Sequence, residues 1–285
     1  MSNSFKIQKI IGIFFIASLI IYLAASFLKT RLPDKNAIDR SLYNQPVQKT
    51  TETKKFEVTI GDLIYEVTPL YDYELNGLVV SDNDNEVWYS RFKKSDPMNT
   101  KDLCVIYGKN IEAEIYKGSK FYSEEFVCSF RTNDSATYAK FSSEDISNNH
   151  LLASRNDKAA IYKKLRKAKI GDQIKLKGYL AKYSIKENNG PAQLIRSSST
   201  TRADAGMGAC ETIYLTDFNI IKTGNPIASV INIIFKCFSI FFFVLYFLML
   251  LYPTGNSKND KKETLDQSAT PSFDDLLPTN LTNKN

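Results

Sequence analysis

The chain is poor in the residues that hydrolytic and metal-dependent chemistry most often uses: its 285 residues contain one histidine and four cysteines. It has no Walker loop, no HExxH, no CxxC pair and no GxSxG, so the phosphate-cradling, zinc-protease, thiol-redox and nucleophile-elbow readings have no motif to rest on. With His150 alone and the acids scattered, neither a metal site nor a cofactor is expected. Strong charge is missing too. A net charge of +6 suits a domain near anionic lipid but falls short of a dedicated nucleic-acid binder, so nucleic acid is not an expected partner.

What the chain does have is two long apolar runs. The first, "IIGIFFIASLIIYLAASFL" from Ile10 to Leu28, carries no charge and is long enough to cross about 30 Å of hydrocarbon as a helix. The second, from Pro226 to Tyr252, carries one cation, Lys236, which is near one end and able to snorkel. Neither run shows a polar face, which argues against a buried core helix. The first also competes with a cleaved signal peptide, since Lys6 and Lys9 precede it and "AAS" follows. Its apolar stretch exceeds the usual core of about 7–15 residues, so an uncleaved anchor is expected. Two spans put both termini on one side of the bilayer, the main expected partner.

Cations near the spans are balanced: Lys6, Lys9, Lys258, Lys261 and Lys262 on the terminal side, Lys29, Arg31, Lys35, Arg40 and Lys222 on the loop side. The positive-inside rule therefore gives no orientation. Cysteine supplies one. Cys104, Cys128 and Cys210 lie between the spans and Cys237 within the second, so the intervening domain can form at most one disulfide. Cys104 with Cys128 is the favoured pair, because both sit in strand-like runs, and a disulfide fits an oxidising compartment. The expected address is a plasma membrane with cytoplasmic termini and an exported central domain; three reduced thiols in a cytoplasmic domain is the alternative.

The expected layout is an N-terminus (1–9), a span (10–28), a polar juxtamembrane linker (29–55), a β-rich domain (56–223), a span (226–252) and a disordered polar tail (253–285). Within the domain, "EVTIGDLIYEVTPL", "YELNGLVVS", "EVWYSRF", "DLCVIYG" and "KFYSEEFVCSF" read as strands, with "SDNDNE" as a hairpin loop. A helical period follows at "SRNDKAAIYKKLRKAKIGD". Asn156 or Asp157 is the expected cap, Ala160, Ile161, Leu165 and Ala168 the apolar stripe, and Gly171 the stop. "QIKLKGYLAKYS" and "TIYLTDFNII" then read as strands, with a bulge or kink at Gly178. Strands, one short helix, then two strands is the order of an OB-like five-stranded barrel, a mainly β fold. A generic α+β domain is the alternative.

Three stretches carry the candidate chemistry. His150, in "DISNNHLL", reads either as a general base or as a neighbour of the turn and capping residues Ser147, Asn148 and Asn149. Asp102 and Lys109 in "DLCVIYGKN" either flank a pocket or belong to a buried strand and its turn. The third stretch is "RSSSTTRADAGMGACE", residues 196–211. Here Arg196 and Arg202 can fork onto a phosphate or carboxylate, "GMG" offers backbone N–H groups to an anion, and Asp204 and Glu211 complete a candidate ligand set. Cys210 beside Glu211 is a candidate nucleophile with His150 as its base. The competing reading is a structured loop in which Asp204 pairs with an arginine and Cys210 is simply buried.

Taken together, "LNGLVVS", "KDLCVIYGKN", "SNNHLL", "GDQIKLKGYLAKYS" and "SSSTTRADAGMGACETIYLTDF" resemble blocks that recur in the same order in a family of uncharacterised bacterial membrane-anchored proteins. The resemblance runs from Tyr73 to Ile221 and concentrates on His150, Gly171, Asp172, Arg202, Asp204, Cys210 and Glu211. It implies a bacterial envelope protein with a common structural or binding core and supplies no activity. Two functions follow: a tethered, non-catalytic module that binds another envelope protein or an anionic ligand, or a cysteine-dependent hydrolase or transferase using Cys210 and His150. Nucleic-acid binding by the basic helix would require the reverse topology.

Overall fold

The computed structural model describes residues 3–87, 90, 95–124, 127–187, 191–202 and 209–251. They belong to two units, Leu23–Asn232 and a second made of Met1–Tyr22 with Ile233–Asn285. The first unit is mainly β. Its strands β1 (Val47–Thr50) and β2 (Phe56–Ile60) both pair with the long β3 (Leu63–Asp84), which also pairs with β4 (Asn99–Ile106). A short α2 (Gly108–Glu112), the hairpin β5 (Ser119–Glu124) and β6 (Val127–Thr132), and α3 (Ser135–Lys140) lead to β7 (Ile146–Leu152). After α4 (Ala159–Lys167), β8 (Gln173–Glu187) is followed by β9 (Gln193–Ser197) and β10 (Glu211–Lys222).

The pairings of the main sheet close on themselves. β4 pairs antiparallel with β7, β7 lies parallel to β10, β10 is antiparallel to β8, and β8 returns to β3. Alternate residues of these strands, among them Leu75, Leu103, Val105, Leu151, Leu176 and Ile213, share one buried apolar cluster on the inner face. One irregularity lets β3 serve two cores. Pro69 pairs with Ala181 and Tyr71 with Leu180, so Leu70 is an extra residue. Because side chains alternate with period two, that bulge moves the odd-numbered residues to the other face. Tyr65 and Val67 therefore join an outer cluster, and Tyr73, Leu75 and Val79 the inner one. Proline, lacking an N–H, is tolerated beside such a break.

Gly178 is where β10 approaches β8 most closely: a Cβ there would lie 2.2 Å from the Tyr214 carbonyl oxygen. The facing strand slips register between Leu215 and Asp217. Between β7 and β8, α4 buries Tyr162 and Leu165, and Ala168 just beyond it, while Ala160 is exposed. Of the expected apolar stripe, Ile161, Leu165 and Ala168 pack on the inner cluster, and Tyr162 is buried where Ala160 was expected. The cap differs as well. Lys158 occupies the N-cap without a side-chain bond, and the Asp157 carboxylate instead accepts from the Tyr214 hydroxyl at 2.6 Å. Much of the helix's cationic face is engaged inside the fold: Lys158 over the Tyr214 ring, Lys164 with Asn219, Arg166 with Asp84. Gly171 has φ +89°, the left-handed geometry glycine adopts most readily, at the turn into β8.

Four other expectations change. Residues 29–55 are not a bare linker: Ile38 and Leu42 are buried, and Gln173 clasps the segment through Asp39 N–H at 2.6 Å and the Ala37 carbonyl at 2.9 Å. Short 3₁₀ turns hide this from a search for helix or strand periods. "EVTIGDLIYEVTPL" spans two strands turned at Gly61, and the second runs on through "YELNGLVVS" to Asp84, into the expected loop. "KFYSEEFVCSF" is likewise a hairpin of two strands rather than one. Most of "EVWYSRF" lies outside the described residues. Cys104 on β4 and Cys128 on β6 form a disulfide with Cα atoms 5.7 Å apart, which ties the hairpin to the main sheet.

At the chain ends, α1 (Asn3–Leu28) and α5 (Pro226–Leu251) are each long and apolar enough to cross a membrane. Their large apolar side chains, such as Ile13, Phe27, Ile227 and Phe241, are exposed. In the second unit the helices lie side by side, with Ser239 Oγ donating to Ser18 Oγ at 3.2 Å and the Phe14 and Phe242 rings stacked at 5.5 Å.

Candidate functional site: a polar face on β4, β7 and β10

Strand register arranges the outer face of β4, β7 and β10 as three rows. Asn99, Leu152 and Tyr214 form one; Asp102, His150 and Thr212 the next; Cys104, Asn148 and Cys210 the last. Directly paired residues project to the same side of a sheet, so His150 stands at the centre. A covered sheet face is ordinarily apolar. This one carries amides, a carboxylate, an imidazole and hydroxyls, with Asn99, Asp102, Asn148, His150 and Thr212 all buried.

His150 Nδ1 meets Asp102 Oδ1 at 2.8 Å, and Asp102 also accepts from Asn85 Nδ2 at 3.3 Å. Facing a carboxylate, Nδ1 carries the proton. One row along, Asn148 Nδ2 donates to Cys210 Sγ at 3.4 Å. Cys210 and His150 are therefore diagonal neighbours on this face, since Thr212, two residues on from Cys210, is the one that pairs with His150. Burial, the dominant cause, pushes the Cys210 thiol above its ordinary value, although the Asn148 bond opposes the shift. A thiol held protonated is a poor nucleophile.

The residues singled out from the sequence separate into two places. Cys210, partly buried, belongs to the outer face with His150, and the positive charge of Arg196 reaches Cys210 as well as Asp96. Glu211, the next residue, turns inward, where its charge raises the Tyr73 and Tyr107 hydroxyls after burial itself. Cys210 and Glu211 thus point to opposite sides, and Glu211 is not placed to take the thiol proton. Arg202 is committed within the fold, donating to Gln45 Oε1 at 2.9 Å and the Pro46 carbonyl at 2.7 Å. Asp204 and the "GMG" segment lie outside the described residues. Lys109 is exposed on α2, beyond the end of β4, while Asp102 is buried within that strand; the two do not flank one pocket.

Ser147, Asn148 and Asn149 are strand residues rather than turn residues. Ser147 Oγ and Asn149 Nδ2 satisfy each other at 2.7 Å, which allows these polar residues inside a strand. Sequence reasoning passed over Asn85, Asn99 and Thr212, whose place on this face depends on register. Among the described residues, no group of three or more His, Cys, Asp or Glu side chains is gathered to hold a metal.

A second buried acid lies nearby in the fold. Asp96 accepts from Tyr183 OH at 2.5 Å and Tyr65 OH at 3.2 Å, and burial raises its pKa above the ordinary 3.8. An acid with a raised folded pKa stabilises the fold fully below its unfolded value, and that contribution is lost as pH rises through the folded value. Asp96→Asn is therefore expected to flatten the fall in stability from about pH 4 toward neutrality. Denaturant midpoints measured across that range check it; parallel wild-type and variant profiles would contradict it. Compared with family models, curated proteins and solved structures, the chain matches none of them.

Proposed function

We propose that this chain is a two-pass protein of the bacterial plasma membrane, with both termini cytoplasmic and an OB-like barrel held outside as a non-catalytic binding module. The buried polar face centred on His150 carries the reading. Such barrels bind through their second and third strands and the adjoining loops. In the circuit of pairings these strands are β4 and β7, and the connection from β8 to β10 that contains Arg196 reaches β7 through the Asn148–Cys210 bond. The parallel β7–β10 pair and the helix between β7 and β8 support the barrel assignment. The Cys104–Cys128 disulfide supports an oxidising compartment, and the exposed apolar surfaces of α1 and α5 support two spans.

Arg196 and Arg202 separate binding from folding. Arg196→Ala is expected to weaken retention of the bound envelope component about tenfold, with the domain still folded. Arg202→Ala should instead speed amide exchange in Val47–Thr50, because it releases Gln45 and Pro46. Quantitative capture from solubilised envelopes alongside hydrogen exchange checks both. Unchanged retention in Arg196→Ala counts against the module.

A second reading, a cysteine-dependent hydrolase or transferase, is favoured by the Asp102-oriented imidazole on the face that also holds Cys210. It requires a reactive thiol. Rapid alkylation of Cys210 in the native full-length protein would support it; resistance until unfolding removes it.

A further inference from the structure

We propose that the outer face of β4, β7 and β10 is a subsite for a neutral, hydroxyl-rich ligand of the saccharide class. The proposal rests on the reading of this domain as a binding module and narrows what it binds.

Several polar atoms of this face are left unmatched by the described residues. Asn99 Nδ2 and Oδ1, Asn148 Oδ1 and Thr212 Oγ1 have no hydrogen-bond partner among the described residues. Their residues are only 2%, 7% and 0% exposed, respectively. Buried polar groups are almost always paired, with protein or with something bound. Here the unmatched atoms share one face, and the Asp102–His150 pair lies between them.

Their chemistry selects the ligand. Asn99 offers two donor hydrogens and an acceptor, Asn148 Oδ1 accepts, and Thr212 Oγ1 does both. An oxyanion only accepts, so it would leave the amide oxygens unmatched and would face the Asp102 carboxylate. An ammonium only donates, so it would leave the Asn99 amide hydrogens unmatched. Hydroxyl groups donate and accept, and several on one ring can serve adjacent rows. Two residues along a strand span about 6–7 Å, comparable to the width of a pyranose ring across its hydroxyls. Arg196 and Cys210, both only partly buried, form the accessible border of the face.

The test uses the full chain in lipid nanodiscs, with chitotriose and maltotriose as saccharide probes and inorganic phosphate as the anion probe, read by saturation-transfer NMR and titration calorimetry. Binding of at least one trisaccharide is expected, weakened at least tenfold by Thr212→Val, which removes the hydroxyl at nearly constant shape. The thermal midpoint of Thr212→Val should equal or exceed that of wild type, because an unmatched buried hydroxyl is lost. Asn148→Ala provides a second variant should the first fail to fold. Saccharide binding that survives both changes overturns the assignment of the face. Phosphate binding without saccharide binding overturns the ligand class and leaves the module intact. Binding of no probe overturns the proposal, while Arg196-dependent capture decides the module reading separately.

Discussion

Asp102→Ala is expected to destabilise the β-rich domain by about 3–5 kcal/mol, the usual cost of removing one member of a buried hydrogen-bonded pair. His150 and Asp102 side chains are 1% and 3% exposed, so the imidazole is left without its partner in a buried setting. Asn85 Nδ2 loses its acceptor at the same time. Asp102→Asn keeps an oxygen and the shape, so its loss should be clearly smaller. Denaturant midpoints of the two variants give the comparison. A fall below about 1 kcal/mol for the alanine variant would mean that the pair adds little to the fold.

Breaking the Cys104–Cys128 bond is expected to cost about 3–4 kcal/mol, from the chain entropy that such a loop loses when closed. The bond spans 24 positions in sequence. Beyond its entropic effect, it ties β6 to the main sheet, while Phe130 stacks on Phe141 at 4.1 Å in the same region. Cys128→Ala should therefore lower the midpoint and concentrate faster amide exchange in β5, β6 and α3. Reductant should reproduce this in wild type and leave the variant unaffected. Equal midpoints before and after reduction would contradict a structural disulfide.

The mainly β character and the helix before β8 were legible because each follows a simple local period, and the apolar runs at both ends because they are long, continuous and almost uncharged. The close approach at Gly178, where the Tyr214 carbonyl leaves no room for a Cβ, was legible from a glycine amid β-branched and apolar neighbours, although the bulge itself lies in β10 between Leu215 and Asp217. What escaped depends on distant partners. Leu42 is buried by a segment with no regular period, held by Gln173 more than a hundred residues away. Asn148 and Asn149 look like turn residues because their side chains compete for the backbone. In β7 they satisfy other groups instead, Cys210 Sγ and the Leu103 carbonyl. The candidate site was half visible. His150, Cys210 and Asp102 stood out by residue type, whereas Asn99 and Thr212 join them only through register. Glu211 shows the reverse error, since adjacency to Cys210 in sequence means opposite faces in an extended chain.

A disulfide-tied β-domain held outside the cytoplasm on two spans is the central claim, and a membrane-impermeant thiol reagent tests it most directly. Intact cells producing the full chain are labelled with and without reductant, and again after permeabilisation, with Cys104, Cys128 and Cys210 read by peptide mass spectrometry. The account predicts that Cys104 and Cys128 label in intact cells only after an impermeant reductant. Cys210 should label there without reductant but slowly, as a partly buried, protonated thiol does. Labelling of all three cysteines without reductant, and only once the membrane is opened, would contradict it and put the domain in the cytoplasm.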